Sequence, residues 1–296
     1  MDAMSTADIA GHLGTFITRI SRRATVVARL DPVGSAYTAS FAGGGRAFIK
    51  LAAPEHLTRL RAEARGLEAL RASGAVRVPE VWLMGGESRY YFLIMEQFDL
   101  ETGNADAHAR LGRELAALHR VTGASFGFER DNFIGATPQS NQQGGDWPAF
   151  YRERRLLPQL ALARMRPDNH AWVERGSLLA QEMKALFAGH APQPSLLHGD
   201  LWSGNAGFAD GGVPVLYDPA VYYGDREADL AMTELFGGFA PSFHAAYREA
   251  WPLDAGYTVR RDLYNLYHLI NHFNLFGGGY GKQAADMIDR LLAAIR

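Results

Sequence analysis

The run Leu197-His198-Gly199-Asp200-Leu201-Trp202-Ser203-Gly204-Asn205 sets an aspartate five positions ahead of an asparagine. Phosphoryl-transfer loops use that spacing: the carboxylate sits beside an acceptor hydroxyl, and an amide oxygen one loop-turn away holds a metal on the phosphates. Alone, the pair is equally a capped turn, with Asp200 opening it and Asn205 closing it. Val215-Leu216-Tyr217-Asp218-Pro219 tips the balance, because an apolar strand there ends in a second aspartate thirteen positions (218 − 205) after Asn205. Mg²⁺ takes hard oxygen ligands from one or two protein groups beside phosphates, so Asn205 and Asp218 suffice.

Upstream, Phe48-Ile49-Lys50-Leu51 places a lysine inside an apolar strand. Burial disfavours its charge unless a partner is near, and an edge-strand lysine would instead carry its head into solvent. The helix that follows offers Glu63, flanked by Ala62 and Ala64, which let it approach the sheet; Glu68 is expected in solvent. A strand lysine held by a helix glutamate steadies the α- and β-phosphates of ATP. Gly34 and Ser35, between the first two strands, are expected to offer backbone amides to a phosphate.

Three further sets bear on the same chemistry. Asp229 opens a helix from which its carboxylate can bond catalytic-loop amides, and His198 is expected to orient that loop. Arg226 and Glu227 read as an ion pair or as groups reaching the acceptor, and mainly as structural residues. His268 and His272 lie four apart on a helix, but no third ligand with zinc-like spacing accompanies them. His272 is instead a candidate for the acceptor pocket.

The elements that must position these residues follow from periodicity. An amphipathic helix is expected over 7–20, then strands at 26–30, 37–41 and 47–51, with a loop at 31–35 and a hairpin turn at Gly43-Gly44-Gly45. Leu57, Leu60, Ala64, Leu67 and Leu70 recur at helical spacing, giving a helix over about 54–72. Strands at 80–84 and 90–96, turning at Gly85-Gly86, complete a five-stranded antiparallel lobe with one main helix. Beyond it helices are expected over about 106–121, 147–165, 170–188, 226–236, 241–250, 258–275 and 281–295, with 122–146 as ordered loops. Gly211-Gly212 turns two short strands. The fold class is α+β: residues 1–97 form a nucleotide-binding lobe, and residues 98–296 a larger, mainly helical catalytic and acceptor-binding lobe.

Composition narrows the partners. The 296 residues carry a net charge of −2, with 47% hydrophobic and 21% charged residues. A nucleic-acid binder would show a basic surplus or stripe, so none is expected as a partner, and Arg22-Arg23 and Arg152 to Arg155 read as helix faces. Cysteine is absent, which excludes disulfides, thiolate metal sites and thiol switching. Neither a signal peptide nor a membrane span is legible, so a soluble cytoplasmic protein is expected.

The run from His198 to Asn205, followed by Tyr217-Asp-Pro-Ala-Val-Tyr-Tyr-Gly-Asp-Arg-Glu-Ala-Asp-Leu-Ala-Met232, resembles the fructosamine-3-kinase (ketosamine kinase) family. Phe126-Gly127-Phe128, Asp131-Asn132-Phe133-Ile134-Gly135 and Leu266 to Gly277 extend the resemblance over nearly the whole chain from Lys50 onward. The family pattern in the N-terminal loop is similar to Gly-Gly-Ser, where this chain has Pro32-Val33-Gly34-Ser35. The resemblance implies a protein-kinase-like fold, related to that of aminoglycoside and choline kinases, with ATP and Mg²⁺ as cofactors. It implies transfer of phosphate to the 3-hydroxyl of ketosamines, ribulosamines and erythrulosamines ahead of fructosamines, free or on protein lysines. On that implied mechanism Asp200 is the base, the Glu96-Gln97-Phe98 backbone holds adenine, and Trp202 stacks on the sugar or its amine. The carboxylates of Asp225 and Glu227 are then candidates for recognising the amine, and the aromatic and neutral polar segment from Asn271 to Phe276 is expected near the acceptor. The alternatives are a kinase of the same fold acting on an aminoglycoside or amino alcohol, and a nucleotide-binding module without activity.

Overall fold

The computed structural model describes residues 5–21, 24–87, 90–166 and 171–296. Arg22-Arg23 and the first residue of the helix expected over 170–188 lie outside them. Helix α1 (Thr6–Ser21) lies on a sheet of β1 (Val27–Val33), β2 (Ala36–Phe41), β3 (Arg46–Ala52), β4 (Val81–Glu87) and β5 (Tyr90–Met95), with α2 (Leu57–Ala72) between β3 and β4. Strand order is β1-β2-β3-β5-β4, antiparallel throughout.

The first connection is shorter than expected. β1 runs through Pro32, and Val33 pairs Ala36, so only Gly34 and Ser35 turn the chain, with Gly34 at φ 58°. The second expected turn also moves. Gly85 and Gly86 pair with Phe92 and Tyr91 inside the β4–β5 ladder, and the Phe16 ring packs over Gly85. Gly85 marks a close approach of α1, and Gly86 a close approach of the β5 backbone at Tyr90, rather than a reversal.

The remainder comprises α3 (Ala105–His119), β6 (Asn132–Ile134), β7 (Thr137–Gln139), α4 (Trp147–Tyr151), α5 (Leu157–Arg164), α6 (Trp172–Glu182), β8 (Ser195–Leu197), β9 (Ala206–Ala209), β10 (Val213–Leu216), β11 (Tyr222–Gly224), α7 (Glu227–Leu235), α8 (Pro241–Ala250), α9 (Tyr257–Phe276) and α10 (Tyr280–Ile295). The expected 147–165 helix is interrupted at Arg152–Leu156 by a widened, π-type turn. That turn directs Arg155 inward, where it is fully buried, donates to Ser140 O and Asn141 Oδ1, and lies over the Tyr222 ring. Arg155 is therefore a core cation, not part of a solvated face.

Three apolar clusters hold the molecule. Ile9, Leu13 and Phe16 of α1 meet Ile49, Phe92 and Ile94 on one face of the sheet. On the other face, Leu60, Leu67, Leu93 and Met95 join a cluster that continues into Leu111, Leu115, Leu196, Leu216 and Phe243. The sheet and the helices beyond residue 97 thus share a core. A third cluster, from Phe126 to Leu292, draws on α4, α5, α6, α9 and α10. Burying one Leu or Phe side chain contributes about 1.5–3 kcal/mol, so the shared cluster couples the sheet firmly to what lies behind it. Among the described residues, no helix is long and apolar enough to cross a membrane.

Helices α3 and α8 pack closely at Gly112, where an added Cβ would lie 2.3 Å from Phe243 O. Backbone cannot yield as a side-chain tip does. Gly112→Ala is expected to lower stability by about 1–3 kcal/mol by forcing the helices apart. Urea unfolding monitored by circular dichroism checks it, and an unchanged midpoint would contradict this packing.

Candidate active site

Register, not proximity in sequence, brings the chemical groups together. Strands β9 and β10 pair so that Ala206 faces Leu216, and Tyr217 N donates to Asn205 O at 3.0 Å. The hairpin therefore closes with Asn205 and Asp218 on adjoining chain ends. Strand β8 pairs with β11 and delivers His198-Gly199-Asp200, and Ala220 N donates to His198 O at 2.9 Å. Gly199 has φ 83°, and a Cβ there would lie 2.1 Å from Ala220 O, so only glycine fits beside Asp200. Asp218 itself adopts φ 55°, left-handed backbone that an aspartate tolerates at some cost.

Lys50 sits in β3 opposite Ala36 and Leu93, at the end of the sheet where Gly34 and Ser35 turn. Its Nζ lies 2.7 Å from Glu63 Oε1 and 2.6 Å from Asp218 Oδ1. Burial disfavours the ammonium, but the two carboxylates outweigh it and raise its pKa, so Lys50 stays charged. Burial pushes Glu63 up despite Lys50. Glu63 borders the buried stripe of α2, three residues after Leu60 and four before Leu67, and with Arg59 it lines the cleft.

Asp200 is deeply set. Asn205 Nδ2 donates to its backbone oxygen at 2.8 Å and to Oδ2 at 3.2 Å. Burial, reinforced by the charges of Asp218 and Asp229 and only partly offset by Asn205, raises its pKa to about 7. A carboxylate in that range suits proton transfer near neutrality. His198 is held neutral by burial; Nε2 faces Tyr217 O at 3.0 Å, which can only accept, so Nε2 carries the hydrogen and Nδ1 accepts from Asp200 N at 3.3 Å.

Asp229 supports this loop from below. It accepts from His198 N at 2.7 Å and Gly199 N at 2.8 Å, and lies 3.2 Å from His119 Nε2. Burial alone would raise its pKa, but His119, His198 and the amide bonds hold it low. His119, from α3, is a positioning residue that spacing alone did not suggest.

A cleft of about 260 Å³ joins Lys50, Glu63, Asp200, Asn205 and Asp218 with Arg59, Trp202 and Phe133. Trp202 is 39% exposed there, its ring edge-on to Phe236. His272 sits one ring farther out, packed on Phe236, with Nδ1 bonded to His268 O. The β6–β7 hairpin, expected only as loop, carries Asn132 and Phe133 into the cleft wall, and Arg59 donates to its Gly135 O at 3.2 Å. Asn132 Nδ2 donates to Val221 O, and Gln139 Nε2 to Asn132 Oδ1, which fixes the hairpin. Asn205 and Asp218 offer hard oxygen donors to this cleft, and the Asp218 side chain is 47% exposed, a donor set that fits Mg²⁺.

At the junction after β5, Glu96 is committed to Arg77 Nη2 at 3.1 Å and to Glu80 N, while Phe98 lies under the Arg77 guanidinium. Among the described residues, buried Gln97 Oε1 has no hydrogen-bond partner.

Three expectations are corrected. Asp225 and Glu227 do not face an acceptor: both are buried, Asp225 bonded by His190 Nε2 at 2.6 Å and Tyr264 Oη at 2.6 Å. Glu227 receives Arg260 Nε at 2.7 Å and Nη2 at 2.9 Å. His190, Asp225 and Glu227 are of cation-binding type, but Arg260 already neutralises Glu227, so the cluster is an ionic network under α7. Arg226 does not pair with Glu227; it lies over Trp251 and donates to Trp251 O and Pro252 O. Asn271 and Asn274, expected near the acceptor, bond Gln159 instead.

The description "Fructosamine kinase" matches residues 18–294 of the chain. A presumptive ketoamine kinase of Synechocystis sp. is 46% identical over 251 residues, covering 84% of each chain. The chloroplastic protein-ribulosamine 3-kinase of Arabidopsis thaliana is 45% identical over 240 residues, covering 79% of this chain and 72% of its own. The crystal structure of a presumptive fructosamine-3-kinase from Thermobifida fusca superposes with a TM-score of 0.81 at 32% identity, covering 95% of this chain and 98% of that one.

His190 faces Asp225 through one ring nitrogen and Asp254 through the other, at 2.6 and 2.7 Å, and donates to both only as imidazolium. Burial lowers its pKa, but Asp225 and Glu227 outweigh that, so its folded value lies above the ordinary one. Its stabilisation is therefore fully present below about pH 6.5 and lost as pH rises through the folded pKa. His190→Gln is expected to destabilise more at about pH 6 than at about pH 9. Chemical unfolding at both values checks this, and a penalty that grows with pH would contradict it.

Proposed function

Because the chain belongs to the fructosamine kinase family, with a protein-kinase-like fold, we propose that this cleft carries out the family's ATP-dependent phosphorylation of ketosamines at the 3-hydroxyl. The observation that supports the residue assignments is the convergence of Lys50–Glu63, Asp200, Asn205 and Asp218 on one cleft from four separate segments.

Phosphoryl transfer asks the protein mainly for positioning and charge neutralisation. Lys50, aligned by Glu63, steadies the α- and β-phosphates. Gly34 and Ser35, at the sheet end beside Lys50, cover them, and the chain at Glu96, Gln97 and Phe98 receives adenine. Asn205 and Asp218 would hold Mg²⁺, which neutralises phosphate charge when bound with the nucleotide. Asp200 accepts the proton of the attacking 3-hydroxyl; its near-neutral pKa lets it be ionised before attack and still hold the proton afterwards. Asp229 and His198 keep the loop in register and touch no substrate.

The ketosamine enters from the side of Trp202 and Phe133, whose rings offer an apolar face to the sugar or its alkyl amine. Ribulosamines are expected to serve at least as well as fructosamines, on free amines or on protein lysines. His272 supports the acceptor wall through Phe236.

Asp200→Asn is expected to reduce kcat by about 10²–10⁴-fold with ATP still bound. Isothermal titration with the nucleotide, beside steady-state assays, separates the two effects, and near-normal turnover would remove Asp200 from the mechanism. A second test concerns the acceptor. Ribulosyl-lysine and fructosyl-lysine should be phosphorylated, with the phosphate on C3 by NMR, and kanamycin should give no useful rate. The highest kcat/KM on kanamycin would overturn the ketosamine reading.

A further inference from the structure

Helix α2 presents three faces. Leu60, Ala64 and Leu67 are buried, Arg59 and Glu63 turn to the cleft, and Thr58, Arg61 and Arg65 form a third stripe at three- and four-residue spacing. That third stripe lines a groove of about 650 Å³ whose far wall includes Glu129, Arg130 and Asp131. The groove adjoins the phosphoryl-transfer cleft, with Ala62, Asn132 and Phe133 lining both. Its lining includes neither the Gly34–Ser35 turn nor the junction at Glu96.

The charge of the groove is unbalanced. Arg61 and Arg65 are like charges one helical turn apart, an arrangement that weakens a helix by about 0.2–0.5 kcal/mol. Among the described residues neither they nor Arg130 have a carboxylate at ion-pair distance, whereas Arg71 on the same helix pairs Glu80 at 2.9 Å. Two carboxylates share the groove, Glu129 and Asp131, and Asp131 Oδ1 is already occupied by Asn141 N at 2.7 Å. Three guanidiniums against two carboxylates leave a net positive wall, in a chain whose overall charge is −2.

We propose that this groove is an acceptor subsite that takes a carboxylate carried by the amine part of the ketosamine. The inference rests on the ketosamine reading, since it needs the 3-hydroxyl at Asp200 and the amine directed past Phe133. The carboxylate has two possible sources, the α-carboxylate of a free glycated amino acid and an acidic side chain near a glycated lysine in a peptide. The guanidiniums are exposed or half-buried, two along a helix flank and Arg130 on the facing wall, so they select by charge rather than by a fixed cradle. Their effect belongs in KM and falls with salt.

Three acceptor pairs test it. Ribulosyl-butylamine, which has no carboxylate, is the control. Nα-acetyl-Nε-ribulosyl-lysine against its amide reads the α-carboxylate. An amidated, acetylated peptide with Glu or Gln two positions from ribulosyl-lysine reads the side chain. At low ionic strength at least one acid is expected to exceed its neutral partner in kcat/KM by about three- to tenfold, the size of a few exposed charge pairs. The Arg61→Gln, Arg65→Gln, Arg130→Gln triple variant should bring that ratio to about one and leave kcat and KM for ribulosyl-butylamine unchanged. Ratios of one in the parent enzyme for both pairs, or a preference that survives the triple variant, overturn the subsite. Failure of the parent enzyme to phosphorylate ribulosyl-butylamine or any other ketosamine would overturn the functional reading, and the subsite with it.

Discussion

The site depends on a buried carboxylate that faces the loop amides and not the cleft. Asp229 spends its charge on the amides of His198 and Gly199, and His119 and Tyr247 complete the chain of contacts behind it. A carboxylate accepting backbone amides is costly to bury and therefore strongly directional, since every alternative arrangement leaves it unsatisfied. That rigidity lets Asp200 sit in an apolar setting two residues further on without drifting. The fixed negative charge of Asp229 also adds to the burial that lifts the Asp200 carboxyl into the neutral range.

Lys50 is subject to the opposite constraint. It is the cation of the cleft floor, shared between Glu63 on α2 and Asp218 after β10. The two acids come from segments on either side of residue 97, yet one apolar cluster runs beneath both. The ion pairs therefore rest on a continuous core rather than bridging a gap, which keeps their geometry from depending on exposed, screened contacts.

What could be read beforehand follows from locality. The meander, the α2 stripe, the Asp200–Asn205 spacing and the Lys50–Glu63 pair are encoded within short windows, where side-chain period and helical repeat operate directly. His119 and His190 were not legible, because their partners Asp229, Asp225 and Asp254 lie far along the chain and nothing local marks a histidine as a counter-ion. The same limit explains why Asp225 and Glu227 could be taken as candidates for the acceptor amine: their partners Arg260, Tyr264 and His190 arrive from elsewhere in the chain. Asn271 and Asn274 were misread in the same way, since an amide on an aromatic helix gives no sign of whether its partner is a sugar or Gln159. The β6–β7 hairpin escaped notice because three-residue strands fall below any detectable alternation.

The β9–β10 hairpin has an evolutionary corollary. Its base carries Asn205 and Asp218, while its tip, Asp210-Gly211-Gly212, is remote from both. Residues gained or lost at the tip leave the two groups face to face, provided the ladder keeps its phase. A single-residue slip of one strand would instead turn Asp218 to the opposite face of the ribbon. Drift in the length of this segment should therefore accumulate at the tip, and the separation along the chain can change over time while the separation in space does not.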